Sequence, residues 1–207
     1  DIMGNKATAY GFIAAAEKAG LKLFLGSYPI TPATDVLHEL SKHKSLGVIT
    51  VQCEDEISGC ATAIGASFAG ALAVTTTSGP GVCLKSEAMN LAVITELPLV
   101  VLDVQRGGPS TGLPTKSEQT DLLQALFGRN GESPMPVIAA TSPTNCFDAA
   151  YAACKMALEH MTPVVLLTDG FVANGSGSWK LPNLDTYPEI KPQYVTPEMK
   201  DNYTPYK

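Results

Sequence analysis

Charge is scarce in this sequence. Asp, Glu, Lys and Arg make up 16% of its 207 residues, against about a quarter in an ordinary domain. Much of the surface is therefore not ordinary solvated face, and burial against a partner is expected. Charge of one sign does not cluster either: 14 basic against 20 acidic residues leave a net −6, with no block of Lys or Arg. Nucleic acid is excluded as the main partner, because phosphate binding needs a concentrated basic patch. Long hydrophobic runs are missing, so no transmembrane helix and no membrane partner are expected. The first ten residues carry no basic stretch leading into an apolar one. No signal peptide is expected there, and the expected location is the cytoplasm.

Paired cysteines are missing too. Cys53, Cys60, Cys83, Cys146 and Cys154 are odd in number and widely spaced, with no Cys-x-x-Cys. An iron–sulfur or structural zinc site within the chain is not expected; buried, reduced thiols are. His38, His43 and His160 fall on helices or helix ends without a His-Glu-x-x-His pattern, so no metal site is expected. The Gly-x-Gly-x-x-Gly, Walker and Gly-x-Ser-x-Gly patterns are absent.

What is present is an apolar content of 45% arranged in alternating segments. Residues 4–19 are Ala-rich and helical, with Gly20 as the stop. Strands are predicted over 21–26, 47–52, 71–76, 98–104, 136–140 and 163–168. Helices are predicted over 32–43 (with Thr31 as N-cap), 55–70, 81–96, 117–127 and 144–160. Strands apolar on both faces and separated by helices indicate an α/β fold: a doubly wound parallel sheet with helices on both faces, over about residues 4–173. Residues 174–207 carry Pro182, Pro188, Pro192, Pro197 and Pro205 without periodicity. They read as an irregular tail or linker lying over something. Its abrupt end suggests a piece of a longer protein.

Ligands of such sheets bind beyond the C-terminal strand ends. Four polar, Gly- and Pro-rich loops follow strands there. Glu54, Asp55 and Glu56 form an acidic trio at one junction. Favourable placement near a helix N-terminus accounts for one or two of them. Glu56 differs, because small and apolar residues surround it. A carboxyl there is expected to be partly desolvated and able to hold a proton. The run from Thr77 through Ser78 and Gly79 to Gly81 reads by itself as a tight turn, with an anion-approach turn as the second reading. Arg106 stands alone in a Gly/Pro/Ser/Thr loop after the most apolar strand, where a guanidinium can clamp a carboxylate; the bland reading is a solvated arginine.

Taken together, these segments resemble a known family. Glu56-Ile57 followed by Gly65, then Thr77–Gly81, resembles the pyrimidine-binding domain of thiamine diphosphate enzymes. Tyr28–Pro32, Gln105–Gly112, Gln119–Leu122 and Gly128–Pro134 are similar, in order, to the α subunit of 2-oxoacid:ferredoxin oxidoreductases. The Gly-Leu-Pro-Thr-Lys run that starts at Gly112 looks most like the 2-oxoglutarate branch. The resemblance covers about residues 4–175. It implies thiamine diphosphate-dependent oxidative decarboxylation of a 2-oxoacid to acyl-CoA, with electrons passed to ferredoxin.

The resemblance also implies residue roles. Glu56, chosen over Glu54 by its nine-residue spacing to Gly65, would bond the aminopyrimidine ring nitrogen. Pro29, Ile30, Ser78 and Gly79 would contact the cofactor. Thr31 and Arg106 would hold the substrate. No Gly-Asp-Gly with a following Asn-Asn segment is present. The diphosphate, Mg2+ and iron–sulfur sites are therefore expected on a partner β subunit. Rival readings are a split non-oxidative decarboxylase and a non-catalytic scaffold domain of the same fold.

Overall fold

A computed structural model describes residues 1–204 as an open sheet with helices on both faces. The elements are β1 (Ile2–Met3), α1 (Gly4–Ala19), β2 (Leu23–Ser27), α2 (Thr34–Leu40), β3 (Val48–Gln52) and α3 (Glu56–Phe68). There follow β4 (Leu72–Thr77), α4 (Gly79–Ile94), β5 (Leu99–Gln105), α5 (Leu122–Phe127), β6 (Val137–Ala139) and α6 (Asn145–His160). The last are β7 (Pro163–Asp169), α7 (Gly170–Asn174) and β8 (Ser176–Gly177). The main sheet has the order β3-β2-β4-β5-β7-β6, and every neighbouring pair is parallel. The expected doubly wound α/β fold is present.

Strand residues alternate between two cores. Leu23, Leu25, Val74, Val100, Leu102 and Leu166 pack with Phe12 of α1 and Tyr151 of α6. Ala73, Leu99, Val101, Val165 and Leu167 pack with Ala63 of α3 and Met89 of α4. A strand buried on both sides is mostly apolar, which is why β5 and β7 read as apolar runs until Asp103 and Thr168. Each fully buried Leu or Val contributes about 1.5–3 kcal/mol.

Two sequence expectations are corrected, and two features were missed. Thr31 does not cap a helix: α2 starts at Thr34 with Ala33 before it and no side-chain cap. Residues 31–33 form a turn instead, with the Ala33 and Thr34 N–H groups donating to the Ile30 carbonyl. The helix predicted over 117–127 is confined to Leu122–Phe127. Residues before it spend their groups elsewhere: the Gly108 N–H donates to Glu118, Gln119 donates to Asp169, and the Asp121 N–H donates to Gln105. Finally, α7 and the antiparallel β1–β8 pair were not anticipated. Asp169 opens α7 by accepting the N–H groups of Phe171 and Val172.

Beyond β8 the chain is irregular apart from single 3-10 turns at Leu184–Thr186 and Pro197–Met199. Trp179 packs at a tilt against Phe147 and Tyr10, Tyr187 meets Tyr151, and Ile190 is buried in the α1–α6 core. Pro205 lies outside the described residues. Among the described residues no helix is long and apolar enough to cross a membrane.

Candidate active site

In an open parallel sheet a crevice forms where the strand order reverses. Here β3 lies outside β2, while β4 and β5 continue on its other side. The crevice therefore opens between the ends of β2 and β4. Ser27 ties its floor, with its Oγ 2.7 Å from Thr76 Oγ1 and donating to the Thr76 carbonyl at 3.0 Å. The chain leaves β2 through Tyr28 and Thr31, both exposed, with Pro29 and Ile30 half-buried between them.

The acidic trio separates by role. Asp55 caps α3: its Oδ1 accepts the Ser58 N–H at 2.7 Å, which holds its carboxyl below the usual range. Glu54 is exposed, whereas Glu56 is 9% exposed. Among the described residues no donor reaches the Glu56 carboxylate. A Cβ on Gly81 would fall 2.9 Å from Glu56 Cγ and 1.9 Å from Thr77 Oγ1. Only glycine lets the first turn of α4 settle on the Glu56 stem.

Beneath Glu56 lies a residue that sequence reasoning missed. Lys85 is fully buried, and its Nζ donates to the Glu56 carbonyl at 2.9 Å and to Thr75 Oγ1 at 3.2 Å. Burial pushes its pKa down. The available signal was its place in α4, at helical spacing from the core residues Val82 and Met89.

The other side of the α4 terminus is equally close. A Cβ on Gly79 would meet Asp121 Oδ2 at 2.6 Å. Ser78 precedes α4, and its Oγ is buried without a partner. The first turn of α4 is thus held between two carboxyl groups, Glu56 and Asp121.

Arg106 and Thr31 come together, though not as two side chains aimed at open space. Arg106 is 7% exposed; its Nη1 donates to the Thr31 carbonyl at 2.8 Å and its Nη2 to the Thr111 carbonyl at 2.7 Å. Its Nε is buried without a partner. The guanidinium ties the loop after β5 to the loop after β2 and still lines a cavity of about 780 Å3, with Gly79, Ser110, Thr120 and Asp121. The Gly128–Pro134 segment is a different case. Arg129 donates to the carbonyls of Ala125, Leu126 and Ser133, and Ser133 bonds Asn90, so this segment is tied to α5 and α4. No cluster of three or more metal-ligating side chains exists among the described residues.

Residues 14–206 match the family described as pyruvate flavodoxin/ferredoxin oxidoreductase, thiamine diP-bdg. The chain belongs to this family. It is 60% identical over 196 residues to the 2-oxoglutarate oxidoreductase subunit KorA of Mycobacterium tuberculosis, covering 95% of this chain and 30% of that protein. It is 42% identical over 184 residues to the 2-oxoglutarate synthase subunit KorA of Archaeoglobus fulgidus, covering 88% of this chain and 52% of that protein. Among solved structures it is similar to a chain of the 2-oxoglutarate:ferredoxin oxidoreductase from Magnetococcus marinus, determined with 2-oxoglutarate, coenzyme A and succinyl-CoA bound. The TM-score is 0.88 at 38% identity, over 95% of this chain and 34% of that one. The chain spans about a third to a half of the length of these relatives.

Proposed function

We propose that this chain forms the pyrimidine side of the thiamine diphosphate site in a cytoplasmic 2-oxoglutarate:ferredoxin oxidoreductase that makes acyl-CoA. The observation that carries this reading is the buried Glu56 carboxylate, which no internal donor reaches, next to the orphaned Ser78 Oγ and the glycine-lined turn of α4. A flat heteroaromatic ring with a basic nitrogen fits that setting: it brings the missing polar partners. Bound there, the cofactor supplies an acidic ring carbon and an electron sink for decarboxylation.

In this reading the chain's own residues bind, orient and hold a proton. Glu56 holds one at the ring nitrogen, and Lys85 fixes the backbone from which Glu56 projects. Pro29 and Ile30 wall one side, and Ser78 with Gly79 the other. Thr31 and Arg106 receive the substrate carboxylate or ketone. A guanidinium has five N–H donors; two are committed to loop carbonyls, and the others remain for an anion. Residues 4–173 act as the unit that carries the site, and 174–204 as a strap across its back.

The diphosphate, Mg2+ and iron–sulfur sites belong in this reading to a partner chain. The α3–α4–α5 side supports this: Phe68, Leu84, Leu91, Leu123 and Phe127 are all exposed there. An apolar face of that kind marks a protein contact.

The test uses the enzyme assembled with its partner chain. Glu56→Gln should leave assembly and cofactor affinity intact but slow C2 proton exchange of the bound cofactor by roughly two decades or more. Normal exchange in Glu56→Gln, with loss in Glu54→Gln, would transfer the role to Glu54. An iron-free assembly that decarboxylates without reducing ferredoxin would favour the non-oxidative reading.

A further inference from the structure

Asp103 and Asp121 make a carboxyl pair that the chemistry above does not use. Asp103 sits in β5 and is fully buried, and neither of its oxygens meets an N–H or O–H group. Asp121 Oδ2 is buried without a donor in the same way. Asp103 stands opposite Thr77 in the β4–β5 register, and Asp121 reaches the same place from the loop, its N–H on Gln105 and its carboxyl against Gly79, so the two carboxyl groups face each other. Ionised carboxylates only accept. Two acceptors facing each other in a dry site are satisfied by one arrangement, a proton between them.

The surroundings supply no competing cation. On the same loop, Glu118 adds charge of the same sign. From α4, Cys83 lines the cavity beside Asp121, while Lys85 is turned to the Glu56 carbonyl. Strand β4 and helix α5 carry no titratable side chain. At the end of β7, Asp169 is engaged by Gln119, Phe171 and Val172. Arg106 is committed to two loop carbonyls. Burial, then the Asp121 charge, holds Asp103 well above the usual carboxylate range, and burial raises Asp121 as well.

We propose that Asp103 is a positioning residue whose proton, shared with Asp121, clips the loop of residues 106–121 to the sheet and so shapes the cavity that Arg106 lines. The clip acts on a defined backbone. Asp121 donates its N–H to Gln105 Oε1 at 3.0 Å and presses its carboxyl against Gly79. The loop it ends is otherwise held by Gly107, Leu113 and Lys116 bonding to one another, by the Gly108–Glu118 and Gln119–Asp169 bonds, and by the Arg106 tie. The shared proton also keeps one negative charge out of a wall that faces an anion. Only this kinetic consequence rests on reading the cavity as the substrate site.

The experiment compares wild type, Asp103→Asn and Asp103→Leu in the assembled enzyme. It measures the infrared band of a protonated buried carboxyl, hydrogen exchange of the Gly107, Leu113 and Lys116 amides, and the apparent 2-oxoglutarate constant across pH. Wild type should show the band at neutral pH. As pH rises the band should vanish, the amides should exchange faster, and the substrate constant should climb roughly tenfold, the scale of a modest misplacement. Asp103→Asn should lose the band yet stay protected with a flat constant, because its amide donates at every pH. Asp103→Leu should exchange fast with a raised constant throughout. Absence of the band in wild type, or a wild-type pH dependence in Asp103→Asn, would overturn the proposal. If the amides follow this pattern while the constant stays flat in all three, the clip stands and the substrate-site reading of the cavity fails.

Discussion

On the α1–α6 side of the sheet, Phe12, Leu102, Phe147 and Leu158 are buried among apolar neighbours, and the one buried glutamate of α2, Glu39, is paired at the rim with Lys42 and His43. On the α3–α4 side, Glu56, Lys85 and Asp103 are buried with few partners or none, and the apolar surface beyond them is open. Among the described residues the tail covers the first side and leaves the second bare. Unpartnered buried polar groups cost stability. A domain can carry them on one face when the other face, sealed and apolar, supplies the folding energy. The difference separates the half that makes the fold from the half that is finished by a ligand and a partner.

The largest effect should come from the sealed face. Phe12→Ala removes a fully buried ring and should cost about 3–5 kcal/mol in chemical denaturation, without changing the substrate constant of the molecules that remain folded. A loss below about 1 kcal/mol would mean that this face is not the stabilising one. Next comes Arg106→Ala, which should raise the apparent substrate constant roughly 30- to 1000-fold, the equivalent of a charge-assisted pair worth about 2–4 kcal/mol. Arg106→Lys should recover only part, because an ammonium cannot replace the planar fork. An unchanged constant in Arg106→Ala would leave this residue as a tie between loops and nothing more.

The smallest effect sharpens the comparison from the open face. Lys85→Met leaves the buried Glu56 carbonyl and Thr75 Oγ1 without their donor, and should destabilise the fold by about 1–3 kcal/mol at neutral pH. The pH dependence follows from linkage. Burial lowers the Lys85 pKa, so the unfolded chain binds the proton more tightly. Wild-type stability therefore gains as pH climbs toward the ordinary lysine range, while Lys85→Met lacks that gain. Thermal unfolding at neutral and alkaline pH checks both statements. Equal pH profiles would show that Lys85 is not a desolvated ammonium.

Much of the architecture was legible because it depends on local pattern. The six strands of the main sheet were placed to within a few residues, since an apolar run ended by a polar, glycine-bearing turn has few other solutions. The crowding of Glu56, Ser78, Gly79 and Arg106 at one sheet edge followed from the rule that such sheets bind at their C-terminal ends. The failures lie where a distant group decides. Residues 117–121 carry helical residue types, yet Gly108, Gln105 and Asp169 claim their hydrogen-bonding groups. Lys85 looks like any surface lysine on a helix until Glu56 and Thr75 arrive from other elements. Arg106 was legible as a charge in a rigid loop, but not as the tie to Thr31 and Thr111.

Asp103 marks the boundary between the two kinds of information. Its place in β5 is set by the alternation of Leu99, Val101 and Asp103 on one face, which the sequence determines alone, as it determines the strand order of residue types and the glycines at 79 and 81. That its carboxyl meets Asp121, and that no cation meets either, is decided only when the loop after β5 folds back over α4. Periodicity and turn chemistry act between neighbours in the chain, so sequence carries them. The protonation and pairing of a buried group depend on every dipole and charge within a few ångströms, and those are gathered by tertiary structure.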